Sequence, residues 1–435
     1  MNEYVISIEE ISSRRLECRW EPNPFPGYPN SFWVEYPSTL KRAAGVTSLY
    51  LALPASLPLS FTESRFRIES SLIEPQAGGN EVDALRQILN GWPHFVKNIT
   101  ARHFGRAVEI HMEPPVMLPG ADTPCHSLES AQRKTGLFFG GGAESLLVLG
   151  ELLAKGIKPI LISFLGPGWI GSDPVRNPTK LEQDSRIASQ LGLQLRHIHS
   201  NVYGVLAQLQ PALQERIVTG TLFANAVSFT PSLLALVAPL VVDEELSTVC
   251  QGNEIQQFGE DLSFHCFTPE ITGPLSAIFA PLFDYQPWLG EMNKLTVFEN
   301  LWTRHPSIGH YQYSCYANRG ERWCLNCEKC FRYYVLYRLY GVPFETVEFN
   351  EERFLSNLAQ PGCTVFDELL DGEYRQDTYQ TLLKTAVEQN KSDVERFLAR
   401  CLQQARWQQR RRQMKALLRP MVPPPILRFM RAVRN

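Results

Sequence analysis

No stretch of this chain reaches the ~18–20 consecutive apolar residues that a membrane-crossing helix needs, and the opening MNEYVISIEEISSRR has no apolar leader core. The expected setting is therefore cytoplasmic. The Gly-Lys-Ser/Thr of a Walker loop is missing, and so are the spaced glycines of the dinucleotide fingerprint. There is no internal repeat. Acid is missing from one region only. From Arg396 to Asn435 there are ten Arg, one Lys and no Asp or Glu, a charge of +11. The whole chain carries −3, which leaves about −14 for the remainder. Such a basic block is read separately from the fold. Its expected contacts are the chain's own acidic surface, an anionic membrane surface bound peripherally, or an acidic partner. Nucleic acid is less well served, because the region has little aromatic content for stacking beyond Trp407 and Phe429.

What is present is ample for a large core: 435 residues, 44% of them hydrophobic, suit two to three domains. Residues 1–125 mix alternating runs (Tyr4–Ile8, Phe66–Ile68), a helical pattern at Glu81–Asn90 and proline-rich turns, and read as an α+β domain. Pro114–Pro124 has linker composition. From residue 134 to about 345 the texture changes to strands alternating with helices. Strands are expected at Leu137–Phe139, Pro159–Leu165, Leu193–His199 and Ser247–Gln251, and helices at Ser145–Lys155, Thr179–Gln190 and Leu222–Leu240. That spacing predicts an α/β fold with a doubly wound, mostly parallel sheet. Residues 346–435 read as a helical C-terminal region ending in the basic tail, broken by Pro420–Pro425.

Two motifs carry chemistry. TGLFFGGGAESLLVLGELLAKG sets three glycines between a strand and a helix. Glycine lets backbone approach a ligand closely, and the helix start offers unpaired N–H groups and partial positive charge, which suit phosphate. A plain glycine turn is the competing reading. In the phosphate reading, Gly141→Val should disturb phosphate binding and spare the fold. The second motif, SCYANRGERWCLNCEKCF, spaces Cys315, Cys324, Cys327 and Cys330 as C-x8-C-x2-C-x2-C. Two overlapping C-x2-C pairs suit tetrahedral zinc, with Arg319, Arg322, Lys329 and Arg332 to offset the charge. Reduced thiols without metal are the alternative. The other six cysteines, Cys18, Cys125, Cys250, Cys266, Cys363 and Cys401, are scattered and read as buried or free thiols.

The glycine loop resembles the PP-loop of the ATP pyrophosphatase superfamily, with Gly140, Gly141, Gly142, Ala143, Glu144 and Ser145 in its places. Gly140 stands where a serine is usual, and Glu144 where an aspartate is. Together with the cysteine cluster, it resembles the 7-cyano-7-deazaguanine synthase family over about residues 134–340, including LEQDSRIASQLGLQLRHI and LSTVCQGNE. A lysine usual after the Pro-Leu segment is not found in YQPWLGEM. The added N-terminal region, with AGVTSLYLALP, and RWCLNCEKC resemble the UDP-N-acetylmuramoyl-L-alanyl-L-glutamate epimerases. Both resemblances imply an adenine nucleotide alpha hydrolase-like fold and a first step in which a substrate carboxylate attacks the α-phosphate of ATP. Ligase or epimerase chemistry would follow. They imply ATP, Mg and Zn as cofactors, and Gly140–Ala143, Ser145 and Ser163 as nucleotide contacts. Glu144, Ser145 and Glu254 become the catalytic candidates, with a solvated loop acid as the competing reading of Glu254.

Among the remaining polar residues, Asn253 could orient a ligand beside Glu254, while Asp284, Glu244 and Glu245 are weaker acids. His197 and His199 share one strand face and read as structural. Ser163–Gly168 is either an adenine-side segment or a plain turn. Two other function classes compete with the enzyme: a nucleotide- or partner-binding relative without turnover, and a component of a modification or defence system acting on nucleic acid or protein.

Overall fold

The computed structural model describes residues 1–38, 47–70, 79–113, 134–168, 173, 178–214, 229–253, 269–290, 292–313, 322–360, 363, 365–370 and 373–418. The chain divides into two compact units. One comprises Met1–Gln256 with Asp261–Arg322, the other Gln257–Glu260 with Trp323–Asn435.

The first unit is built on one ten-stranded sheet. Its strands are β1 (Asn2–Ser12), β2 (Arg15–Glu21), β3 (Ser31–Glu35), β4 (Ser64–Ser70), β5 (Ile110–Glu113), β6 (Lys134–Phe138), β7 (Ile160–Leu165), β8 (Leu195–Ser200), β9 (Leu246–Gln251) and β10 (Asp284–Pro287). Its helices are α1 (Ala52–Ser56), α2 (Gly79–Phe104), α3 (Ala143–Ala154), α4 (Lys180–Leu191), α5 (Val202–Gln214), α6 (Phe229–Asp243), α7 (Pro269–Phe279), α8 (Lys294–Arg304) and α9 (Pro306–Gly309). The strand order is β10-β9-β6-β7-β8-β3-β2-β1-β4-β5. From β10 to β8 every pairing is parallel.

The chain runs outward from β6 to β7 to β8, then returns to place β9 and β10 on the other side of β6. This is a doubly wound α/β arrangement. Its switch point lies between β6 and β9, where such sheets open a crevice at the carboxyl ends of their strands. Strand alternation feeds two helical layers. Phe138, Ile162, Phe164 and Val249 join a core with residues of α2, α5, α6 and α7. Their neighbours Leu137, Leu161 and Cys250 are also buried, toward the face that carries α3 and α4.

The first 113 residues do not form a sheet of their own. β3 pairs antiparallel with β8 through Val34↔Ser200 and Glu35↔His199. Asn201 locks the junction, accepting from Trp33 N at 2.7 Å while its own N–H donates to Trp33 O at 3.3 Å. Helix α2 runs fourteen residues past the expected end at Asn90, because Trp92, Phe95, Val96 and Ile99 continue its buried face through Pro93. Pro114–Pro124, residues 222–228 at the start of the long apolar helix pattern, and Pro420–Pro425 lie outside the described residues.

The second unit is helical: α10 (Glu328–Tyr340), α11 (Glu351–Ala359), α12 (Val365–Glu368), α13 (Glu373–Glu388) and α14 (Ser392–Leu418). Trp323 packs on Tyr333, Tyr337 and Phe349, and its indole N–H donates to Val347 O at 2.8 Å. Beneath lies a buried ion pair. Arg332 grips Glu328 with two nitrogens, at 3.1 and 2.7 Å, and Tyr379 donates to the same carboxylate. No helix among the described residues is long and apolar enough to cross a membrane.

The first ten residues of the basic tail, through Ala405, pack into this unit. Val394, Leu398, Cys401, Leu402 and Ala405 are buried at helical spacing, whereas Arg406–Met414 contribute no buried residue. Removing residues from Arg396 onward takes away Leu398 and Leu402, each worth about 2–5 kcal/mol when buried. That truncation is expected to lower the melting temperature by ~10 °C or more. Truncation after Ala405 should leave it nearly unchanged, as thermal denaturation of the two shortened proteins will show.

Candidate functional site

The glycine loop leaves the end of β6, beside the switch point. Phe139 N–H donates to Ile162 O at 2.8 Å and carries the chain one residue past the strand. Gly141 then takes φ = 71°, and Gly142 caps α3 in extended conformation with no side-chain hydrogen bond to the helix start. Ser145 closes the loop on itself. Its hydroxyl donates to Gly142 O at 3.2 Å and accepts from Gly140 N at 3.4 Å. At Gly140 an added Cβ would meet nothing within 4 Å among the described residues, so the loop faces open space there.

Gly141 faces the opposite situation. An added Cβ would lie 2.1 Å from the ring of Tyr313, whose N–H donates to Gly141 O at 3.0 Å. Gly141→Val therefore cannot spare the fold as expected, because the ring already occupies that space. Tyr313 is itself anchored. Its hydroxyl accepts from Lys180 Nζ at 2.8 Å and donates to Asp184 Oδ1. Lys180 also reaches both oxygens of Asp184, at 3.0 and 2.9 Å. Ser163, on β7, donates to Asp184 Oδ2 at 2.6 Å, and His197 Nε2 stands 3.7 Å from that oxygen. Lys180, Asp184 and Ser163 are buried. Ser163, expected at the nucleotide, is thus committed to Asp184.

A second charge pair flanks the loop. Lys294 opens α8, whose cap is Asn293 accepting from Thr296 N at 2.9 Å. Its ammonium contacts the Glu144 carboxylate in the first turn of α3. The two helices run side by side in the same direction. At their far ends Arg304 and His305 meet Glu151, at 2.8 and 3.0 Å, and the His305 ring fills the space beside Gly150. From β9, Gly252 packs so closely that a Cβ would come within 2.7 Å of the Glu144 backbone. Next to it Asn253 is buried, with neither polar side-chain atom hydrogen-bonded among the described residues.

Glu254, the acid expected there, lies outside the described residues. The weaker acids are not at this edge. Asp284 begins β10, and Glu244 pairs with Arg196 just before β9 begins. Glu245 is exposed. His199 is set opposite Glu35, and burial followed by the neighbouring His197 lowers its pKa.

Lys180, Asp184, Tyr313 and Lys294 were not anticipated. The readable signal was the i, i+4 spacing of Lys180 and Asp184 in line with Ile187 and Ala188, which puts both charges on the inward stripe of α4. Lys294 comes two residues after the stretch that had shown no lysine.

The cysteine cluster belongs to the second unit. Cys327 caps α10, accepting from Cys330 N at 3.4 Å. Cys330 Sγ lies 3.5 Å from Cys327 Sγ and 3.7 Å from Cys324 Sγ. Sulfurs around a tetrahedral zinc stand roughly 3.8 Å apart, given Zn–S near 2.3 Å. The three thiols therefore match three corners of such a site and could hold a metal ion. Leu325, between the first two, takes φ = 56°. Asn357 braces that turn, donating to Leu325 O at 3.1 Å. Cys315 and Arg319 lie outside the described residues. Of the other cations expected to balance charge, Arg322 donates to backbone carbonyls of His310 and Gln312, and Arg332 is held by Glu328. The scattered cysteines Cys18, Cys250, Cys363 and Cys401 are free and buried. Burial raises all four thiol pKa values, those of Cys250 and Cys401 to about 12.

No protein-family model matches the chain, and neither does any curated protein.

Gly141→Ala should lower the melting temperature by several degrees, since it combines a left-handed backbone with displacement of a packed ring, about 1–2 kcal/mol for the backbone alone. Gly140→Ala should leave it unchanged within a degree or two, so a thermal melt of the pair tests the different roles of the two glycines. Protein purified without added zinc should carry about one equivalent by elemental analysis. Cys327→Ser should lose that metal and melt markedly lower, and metal-free protein that melts normally would remove the site.

Proposed function

We propose that the chain binds ATP with its phosphates on Gly140–Ser145 and uses it to activate a small-molecule carboxylate, releasing pyrophosphate. One observation carries the nucleotide part. A glycine loop with open space at Gly140 leads into a helix start that has no side-chain cap, at the switch point of a doubly wound sheet, with Lys294 beside it. Peptide N–H groups and the helix dipole favour an anion at such a place. The carboxylate-activating part rests on the resemblance of the loop and cysteine motifs. In that chemistry a carboxylate oxygen attacks the α-phosphorus and the bond to the bridging oxygen breaks. Pyrophosphate leaves with the electron pair, and the products are an acyl-adenylate and pyrophosphate. Charge growing on the leaving group is opposed by donors fixed before the reaction. Lys294 is the side-chain cation in position for this, once a phosphate competes with Glu144 for it.

The described residues at the loop do not supply a magnesium site. Glu144 is taken by Lys294, and Asp184 by Lys180, Tyr313 and Ser163. No step is therefore assigned to that ion.

The pairing of Glu144 with Lys294 also suits a second reading, a nucleotide-binding protein without turnover. ATP labelled at the α-phosphate separates the two. The enzyme should convert it to AMP and pyrophosphate only in the presence of a suitable acid. In either reading Gly140→Val should weaken ATP binding at least ~10-fold with little change in melting temperature. Unchanged affinity in that variant removes the phosphate role. Tight ATP binding with no pyrophosphate from any acid leaves only the binding protein.

A further inference from the structure

We propose that the outward face of α14 docks on an anionic lipid surface. The helix has two faces of different character. Its packed stripe is Val394, Leu398, Cys401, Leu402 and Ala405, all buried. At 100° per residue these lie roughly 120–220° around the helix from Trp407. The opposite stripe, within about 60° of Trp407, carries Arg396, Arg400, Arg410, Arg411 and Met414. Trp407 is 58% exposed and Met414 61% exposed, two of the few large apolar side chains among the described residues left to solvent. They are seven residues apart and so lie one above the other. Arg411 sits over the Trp407 ring at 5.3 Å.

This stripe is not a folding face awaiting the rest of the chain. Arg412, on the packed side, reaches back to Asp367, so the helix already makes its contact with the acidic body there. Nor does the stripe suit a second copy, since four arginines would face four arginines, and the acid on the same stripe, Asp393, is already paired with Arg338. What it complements is a surface that is anionic over a plane and apolar just beneath. Arginines meet the headgroups, tryptophan takes the interfacial level, and methionine reaches the acyl boundary. Met414 separates lipid from nucleic acid, which would reward Trp407 and the arginines but not an aliphatic side chain in line with them.

The test uses the full chain and sedimentation with vesicles. Phosphatidylcholine vesicles containing phosphatidylglycerol should carry the protein down at about 0.1 M salt, and phosphatidylcholine alone should not. Raising salt to about 1 M, which shortens screening from ~10 to ~3 Å, should release it. Each arginine near such a surface is worth roughly fivefold in partitioning, so R410E with R411E should cost at least ~20-fold. W407A with M414A should cost about tenfold or more. All four positions are exposed, so both double variants should melt as the parent does. Failure of the parent to sediment at low salt overturns the proposal, as does binding that survives both double variants. Two further results would reassign the face: a single-stranded oligonucleotide that binds equally well with M414A, or a dimer abolished by W407A. Either overturns the lipid assignment.

Discussion

The contact on which the arrangement at the sheet edge depends is the ring of Tyr313 against Gly141. A left-handed residue with no Cβ is needed there because the ring stands where a Cβ would be. The ring stays there because its hydroxyl is fixed between Lys180 and Asp184. Two buried charges are costly, several kcal/mol each before their mutual attraction is counted. Here each is surrounded by partners: Lys180 has both carboxylate oxygens and a phenol, and Asp184 has an ammonium, a phenol and the Ser163 hydroxyl. Removing one partner would strand the others at roughly 3–5 kcal/mol. Such a network contributes more to one fixed geometry than to net stability. What it fixes is the direction in which the loop's peptide groups point.

Much of the parallel half was legible in the residues. Strands β7 to β9 and helices α3 and α4 begin and end within about two residues of expectation, and β6 begins three residues earlier than expected, because glycines, prolines and the change of period mark their limits. The single sheet was not legible. Whether β3 pairs with β8 or with a sheet of its own is decided by residues 168 apart, Trp33 and Asn201. No local pattern encodes that choice. The site divides in the same way. Glycines and clustered cysteines announce themselves by spacing, whereas Tyr313 and Lys294 matter through where the fold delivers them, and their neighbours in sequence do not reveal it.

The basic tail shows a different failure of one-dimensional reading. Its charge suggests one object, but the apolar positions divide it. Up to Ala405 the helix contributes to the core of the second unit with the same stripe that a bundle helix would use. Beyond that it buries nothing among the described residues, and cations and apolar residues share the solvent face.

Glu144 is the residue at which the electrostatics of the loop are decided. An acid in the first turn of a helix is favoured by the dipole, yet in the proposed function the same acid would repel a phosphate placed at the loop. At an effective dielectric of about 20, two unit charges ~4 Å apart interact by about 4 kcal/mol, enough to cancel the attraction of a helix start. Lys294 removes that penalty without leaving a bare ammonium in its place. It is buried, and α8 cannot withdraw it while Arg304, His305 and the notch at Gly150 hold the other end of the helix on α3. The ion pair therefore adds no net charge at the helix start. In the proposed function an anion at Gly140 would compete with Glu144 for a cation already in place, so the cost of bringing that cation out of water would have been met by the fold before any ligand binds.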